Sequence, residues 1–391
     1  MVHISKPKIE HSDGTIRFYV DVFGLEQSKL WYEMPDYMEP YLDLNDSTAF
    51  LVALLPQLCI AGGGIVIDGS ISSVLYNNII QKLYPFWRKY SSIFNPIEIQ
   101  CNTFLESTTK TDLHAHNGTG ISCGVDSLDA IKTTMEYPSA NRIDTLTFFN
   151  TGSHRSTGGL SPAESRKLFY ERMERSKQCA KDFNLNFLWV DSNVGEFIKT
   201  KYVQVHQFCN FSAVLACGSY FENYYYASGY PIDMFSITHI DRDTAYYETY
   251  LCSLLSTERV RFLISGECKA RIDKVKNIAD MPIAQKYLNV CFMEDKNCGT
   301  CEKCVRTQME LYAIGKLDSF SNVFDLEKFY KNIRKHYKRV YCSQYSSVYM
   351  DIINEMRNNG ISVPFFYKLY GSTVNVIRRI KRIFGWSINV R

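Results

Sequence analysis

The chain switches between two hydrophobic periods, and each switch marks an element. Residues 1 to about 34 read as paired strands. A D-G turn at Asp13-Gly14 precedes I-R-F-Y-V-D-V-F, and Leu30 to Glu33 extends the sheet. At Ser47 the period lengthens. Leu51, Leu54, Leu55 and Leu58 form the buried side of a helix predicted over Ser47–Ile60, capped by Asp46 or Ser47 and ended by Gly62-Gly63-Gly64. Ile65 and Ile67 predict a short strand closed by a D-G turn at 68–69. A second helix is predicted over Ser72–Tyr90 through Leu75, Ile79, Leu83 and Trp87, followed by a strand at Ile97–Ile99. His3 and His11 are placed in loops. With no nucleophile–base pair and no ligand cluster, residues 1–110 are expected to be structural or to shape a substrate cleft.

From residue 111 apolar strands alternate with helical stretches, the pattern of a parallel sheet. Strands are predicted near Gly118–Ser122 and at Ile143–Phe149, Asn186–Val190 and Val260–Ile264. A helix from Ser161 or Pro162 to Phe183 opens on S-P-A-E, a cap, a proline and a glutamate. Phe208 starts an apolar helix that ends in a tyrosine-rich, strand-like run to Tyr226. Ligands of open α/β sheets lie outside the carboxyl ends of the strands. That rule gathers Ser122–Ser127, Asn150–Ser153 and Asp191–Asn193 around one pocket. His154 and Arg155 would bring a cation near phosphate there.

A length of 391 residues suits two or three domains, and 46% hydrophobic content is that of a globular protein. Net charge is +3, from 44 basic and 41 acidic residues, too near balance to argue for nucleic acid by itself. M-V-H-I-S-K-P-K lacks an apolar core, so no signal peptide is expected, and no apolar run reaches transmembrane length. Thirteen scattered cysteines with one dense cluster point to a reducing compartment and a metal site, with the cytoplasm as the expected location.

The chemistry centres on I-S-C-G-V-D-S-L, Ile121 to Leu128, ahead of an amphipathic run through Leu128, Ile131 and Met135. Small residues opening a helix present several N–H groups at the positive end of its dipole, which makes an anion site. No G-K-[ST] follows, so this is not a Walker A loop, and G-x-G-x-x-G is absent. Near the other end of the region, Cys291 and C-G-T-C-E-K-C from Cys298 to Cys304 put four thiolates at intervals of seven, three and three. This count suits one tetrahedral zinc with no open position, Gly299 permitting the tight knuckle and Lys303 and Arg306 offsetting charge. An iron–sulfur cluster is the alternative. Between the two motifs, Ser265-Gly266-Glu267-Cys268-Lys269 leads from a strand end to Arg271 and Lys274. These cations either meet a leaving pyrophosphate or face solvent.

The loop Ser122, Cys123, Gly124, Val125, Asp126, Ser127 resembles the S-G-G-x-D-S loop of the PP-loop ATP pyrophosphatase superfamily, with Cys123 in place of the first glycine. Followed by the C-x-x-C-x-x-C knuckle, it is most similar to the 7-cyano-7-deazaguanine synthase family. The resemblance covers Gly118 to about Leu311. It implies an α/β fold with a parallel-sheet, adenine nucleotide alpha-hydrolase-like (PP-loop, Rossmann-like) core. To that core are added an N-terminal α+β module (1–110), a four-cysteine zinc knuckle (291–304) within a catalytic domain (111–315), and a basic, mostly helical C-terminal region (316–391).

The resemblance also implies ATP, Mg²⁺ and Zn²⁺. The loop amides would hold the phosphates, and Asn150, Thr151 and Gly152 would touch adenine or ribose. Read from the residues themselves, Ser122 and Ser127 would donate to phosphate, Asp126 would help hold magnesium, Asp191 would orient substrate or ribose, and Lys269, Arg271 or Lys274 would meet the leaving group. The implied reaction is adenylation of a carboxylate or amide oxygen followed by attack of a nitrogen nucleophile. The substrate is a deazapurine, a protein or a peptide. Two alternatives stand beside it: thiolation or amidation of tRNA or a nucleobase, and a nucleotide-binding adaptor without catalysis. Cys123 is either a simple glycine replacement or a reactive thiol at a helix start. A homodimer is open.

Beyond Leu317 the basic, aromatic stretch at 328–339 precedes a segment in which Val374, Ile377, Ile380 and Phe384 share a face and Arg378, Arg379, Lys381 and Arg382 supply charge. An acidic protein, tRNA or other nucleic acid, or an anionic membrane surface would suit it, as would packing on the domain with a basic outer face.

Overall fold

The computed structural model describes residues 1–105, 113–154 and 159–383. Arg155 and residues 384–391, Phe384 among them, lie outside the described residues, as do the side chains of Arg378, Arg379, Lys381 and Arg382. The chain packs as two units, Met1–Ser122 with Asp126–Cys268, and Cys123–Val125 with Lys269–Arg391.

The first unit carries an α/β arrangement on a mostly parallel sheet. Its strands are β1 (Val2–Ile4), β2 (Lys8–Ser12), β3 (Thr15–Phe23), β4 (Lys29–Pro35), β5 (Gly64–Ser72), β6 (Glu98–Leu105), β7 (His116–Gly120), β8 (Thr145–Asn150), β9 (Asn186–Ser192), β10 (Phe221–Ala227) and β11 (Arg261–Ser265). Their order is β11-β10-β7-β8-β9-β4-β3-β1-β5-β6, with β2 paired to β3. The block β11-β10-β7-β8-β9 is parallel, as is β1-β5-β6. Antiparallel pairs join the blocks: β4 meets β9 with Tyr32 opposite Ser192 and Glu33 opposite Asp191. The sheet is therefore continuous from the first hundred residues into the strands beyond 111.

The predicted helices form because their apolar sides have partners. Thr48–Ala61 is buried almost all round, as a helix apolar on every side must be. It packs against His206–Ala216, and Phe50 lies against the rings of Phe18 and Tyr32 at 5.1 and 5.6 Å. Pro162–Asp182 begins with a capping box, Ser161 accepting from Glu164 N–H while the Glu164 carboxylate accepts from Ser161 N–H.

Three expectations are corrected. Asp68-Gly69 is not a turn: β5 runs through it, with a register shift against β6 between Ile67 and Ser70. A Cβ on Gly69 would lie 2.2 Å from Ser47 Oγ, so the glycine serves a close approach. The helix after Ser72 contains a π segment at Ile79–Leu83. Pro85 follows and lacks an N–H, so the wider turn relieves the ladder there. His3 and His11 lie in β1 and β2, where His3 meets Asp68 at 2.8 Å and His11 meets Glu39 at 2.9 Å.

The second unit is largely helical: Arg271–Ile278, Glu302–Ala313, Ile333–Cys342, Ser347–Asn358 and Phe365–Ile383 are its longer helices. Glu302–Ala313 packs on Arg271–Ile278 and Ser347–Asn358, and Ile333–Cys342 packs on Phe365–Ile383.

Strand β7 fits its slot because Gly118 lacks a side chain. A Cβ there would lie 2.4 Å from Phe221 Cε1, in a ring only 1% exposed. Gly118→Ala is expected to cost about 1–3 kcal/mol through overpacking, read as a lower denaturant midpoint with unchanged slope.

Candidate functional site

The segment after β7 turns sharply and opens the helix Val125–Met135. Ile121 N–H donates to Thr147 C=O at 2.8 Å, so the chain leaves the sheet at the carboxyl end of β7 and beside β8. Cys123 then takes φ 56°, a left-handed conformation few side chains adopt cheaply. It occupies the position where the resembling loops have glycine, so the departure in sequence falls where the backbone favours glycine. Its thiol is fully buried, which fits a glycine replacement better than a nucleophile open to substrate. Ser122 and Ser127 hydroxyls lie 3.2 Å apart across the turn, and Asp126 sits in the first turn of the helix.

At the carboxyl end of β8, Asn150 donates from Nδ2 to Asp191 Oδ1 at 2.7 Å, and Thr151 Oγ1 donates to Asn210 Oδ1 at 2.7 Å. Gly152 has φ 105° and presses against Gly195, where a Cβ would meet Gly152 Cα at 2.8 Å. Beside this glycine pair runs a groove of about 460 Å³, lined further by Ile198, Thr200, Lys201, Tyr202 and Val203. Of Asn150, Thr151 and Gly152, only Gly152 lines that groove. Asp191 lies inside β9 rather than after it, buried, with Arg166 Nε at 2.6 Å. Burial pushes its carboxyl up, opposed by Arg166 and Asn150. Asn193 joins the strands instead of lining a pocket: its Oδ1 accepts from Trp31 N–H at 2.9 Å and its Nδ2 donates to Lys29 C=O at 2.8 Å. His154 is not a cation. Burial, then Arg172, lower its pKa to about 4, and its ring packs edge-on against Phe148 and Phe169.

Lys269 and Arg271 belong to the second unit. There Arg271 Nε lies 3.5 Å from Glu310, a fully buried carboxylate, and Nη2 lies 3.4 Å from Thr307 Oγ1. Lys274 is itself 2% exposed, so this stretch is not a solvent-facing row of charge.

The four cysteines converge in that same unit, and the cluster can hold a metal. Cys291 Sγ lies 3.9 Å from Cys301 Sγ, and Cys298 Sγ lies 4.0 Å from Cys304 Sγ. Tetrahedral zinc–thiolate bonds of about 2.3 Å put neighbouring sulfurs about 3.8 Å apart, so both pairs fit edges of one site. Gly299, at φ 72°, turns the knuckle, and Cys301 caps the helix whose first turn holds Cys304. Amide N–H groups point at sulfur, from Glu294 to Cys291 at 3.3 Å and from Cys301 to Cys298 at 3.3 Å. Burial opposes ionisation of Cys298, but hydrogen bonds from Thr300 and Cys301 outweigh it and lower the thiol pKa to about 6. Lys328 Nζ donates to Cys298 C=O at 2.8 Å.

The knuckle is tied to the turn. Asn289 N–H donates to Cys123 C=O at 2.8 Å, and Asn289 Oδ1 accepts from Cys291 N–H at 3.1 Å. Asn289 carried no signal in the sequence, since an asparagine next to a cysteine cluster reads as loop.

Other groups went unnoticed in the sequence. Glu248, just 3% exposed, sits under the loop after β10, accepting from Ser228 Oγ and Gly229 N–H, both at 2.8 Å. Burial outweighs those bonds and raises its carboxyl to about 7. His206 bridges Asp243 at 3.2 Å and the Tyr226 hydroxyl at 3.1 Å. His114, His116 and Asp144, at the opposite end of β7 and β8, are a second group able to hold a metal. Proximity created by the fold, rather than spacing along the chain, unites such sets. Comparison with family models, with curated proteins and with solved structures gives no match.

The strained cysteine and the metal cluster each have a test. Cys123→Gly is expected to stay within about 1 kcal/mol of the parent, relief of the left-handed strain offsetting the lost thiol burial, whereas Cys123→Val should lose about 2 kcal/mol or more. Chemical denaturation would read the contrast; equal losses would remove the strain argument. Cys301→Ala should drop bound zinc from one equivalent per chain to near none by elemental analysis, with aggregation.

Proposed function

We propose that this chain is an ATP-dependent, adenylate-forming enzyme of the PP-loop type carrying a structural zinc. One observation carries the reading. A turn leaves a parallel strand at its carboxyl end, takes a left-handed step where pyrophosphate loops have glycine, opens a helix, and gives its Cys123 carbonyl to the Asn289 amide. Such a turn aims successive amides to one side at the positive end of a helix, where phosphate is stabilised.

In this reading the turn amides and the hydroxyls of Ser122 and Ser127 hold the β- and γ-phosphates of ATP. A carboxylate or amide oxygen of the substrate forms a bond to the α-phosphorus as the bond to the bridging oxygen breaks, and pyrophosphate leaves. A nitrogen nucleophile then bonds to the activated carbon, and AMP leaves. Asp126 is the residue to hold Mg²⁺, which supplies positive charge to the departing pyrophosphate. Asn150, Thr151 and the groove beside Gly152 receive the nucleoside. The four thiolates fit one zinc ion, with all sulfurs within 4.8 Å of one another and no open ligand position. Its role is to fix Asn289 and, through it, Cys123. The substrate class is a deazapurine carboxylate or a protein or peptide amide, and a reducing compartment such as the cytoplasm suits the thiolates.

Binding and turnover test the two halves of this reading. Mg·ATP should raise the melting temperature of the full chain, and absence of any shift at millimolar ATP would sink the proposal. Asp126→Ala should lower pyrophosphate release at least about 100-fold with the thermal transition unchanged; full activity in that variant would remove Asp126 from the site.

A further inference from the structure

The helix Phe365–Ile383 exposes an unusual amount of apolar surface. Phe365, Phe366, Leu369, Tyr370, Val376, Ile377 and Ile380 are each 40–73% exposed. At about 100° per residue they fall in one sector, because they recur at steps of three and four. The opposite sector is the one that docks. A Cβ on Gly371 would lie 2.5 Å from Tyr341 C=O, Asn375 Nδ2 donates to that carbonyl at 3.3 Å, and the Tyr367 and Tyr337 rings lie 5.7 Å apart. Positions 367, 371 and 375 thus fasten the helix to Ile333–Cys342 and turn its apolar sector outward.

The sequence of this stretch carries charge of one sign. From Met356 to Ile383 the sequence has six basic residues, Arg357, Lys368, Arg378, Arg379, Lys381 and Arg382, and no acidic one. A second copy of the chain would bring like charge against like. Nucleic acid would be served by the charge but would leave the phenylalanines and isoleucines in water. An acidic lipid surface suits both features: it takes up an exposed apolar sector and attracts a basic stretch of chain. No described helix is long and apolar enough to cross a membrane. At 19 residues Phe365–Ile383 offers about 28 Å of contact.

We propose that Phe365–Ile383 is an interfacial anchor that docks this protein on an anionic membrane surface. Sedimentation of the full chain with vesicles tests it. Vesicles of phosphatidylcholine and phosphatidylglycerol at seven to three should capture the chain at least tenfold better than phosphatidylcholine alone, and high salt should weaken capture. The double variant Ile377→Asp, Ile380→Asp should lose tenfold or more in partitioning while keeping the parent's thermal transition, since both side chains are about half exposed. Lys368→Gln should lose less than the double variant. Three outcomes overturn the proposal: no capture by anionic vesicles, capture unaffected by the aspartates, or salt-sensitive binding to a single-stranded RNA with no vesicle capture. The last would assign the helix to nucleic acid.

Discussion

Strand β7 is the constraint on which the first unit rests. It is short, polar and at the middle of its five-stranded parallel block, His-Asn-Gly-Thr-Gly between two longer strands, and a buried polar strand survives only if its side chains find partners. They do. Asn117 donates to the carbonyls of Ala140 and Arg142 and accepts from Asn223, and Thr119 donates to Tyr225 C=O at 2.6 Å. Each bond is worth about 1 kcal/mol net, but each one lost leaves a buried group costing about 1–3 kcal/mol. The arrangement therefore fixes register more than it adds stability, and register decides where the following turn emerges.

That turn is strained, and something must hold it. The Asn289 amide, reaching Cys123 C=O, is supplied by the segment that leads into the cysteine cluster. Cys123 and Cys291, 168 positions apart, are thereby brought into the same compact unit. A metal ion held by those four thiolates would have no open position and so no chemistry to perform; it would act by steadying the segment that reaches Cys123.

Much of this was legible. The capping box at Ser161, the apolar runs of β8 and β9, and the cysteine spacing are local signals, and each sits where its residues predict. What failed was long-range. Asp68-Gly69 has a turn's composition, but Ser47 lies against it and the strand continues through an irregularity in its register. Asn193 has the look of a pocket residue, but its amide is taken up by backbone 162 and 164 positions away. His154 lost its charge to a wall of phenylalanine that no reading of its neighbours could supply. Glu248 and Asn289 are ordinary residues until their surroundings are known.

The pairing of β4 with β9 has one more implication. A parallel block ending at β9 would present a bare row of amide and carbonyl groups, a template for unwanted association. The antiparallel hairpin β3–β4 pairs with the end of that row, at Asp191 and Ser192, and carries the pattern onward into β1. The opening segment of the chain is thus a sealing edge for the strands that follow, and a chain trimmed to begin after residue 35 would be a sticky fragment rather than a smaller version of the same protein.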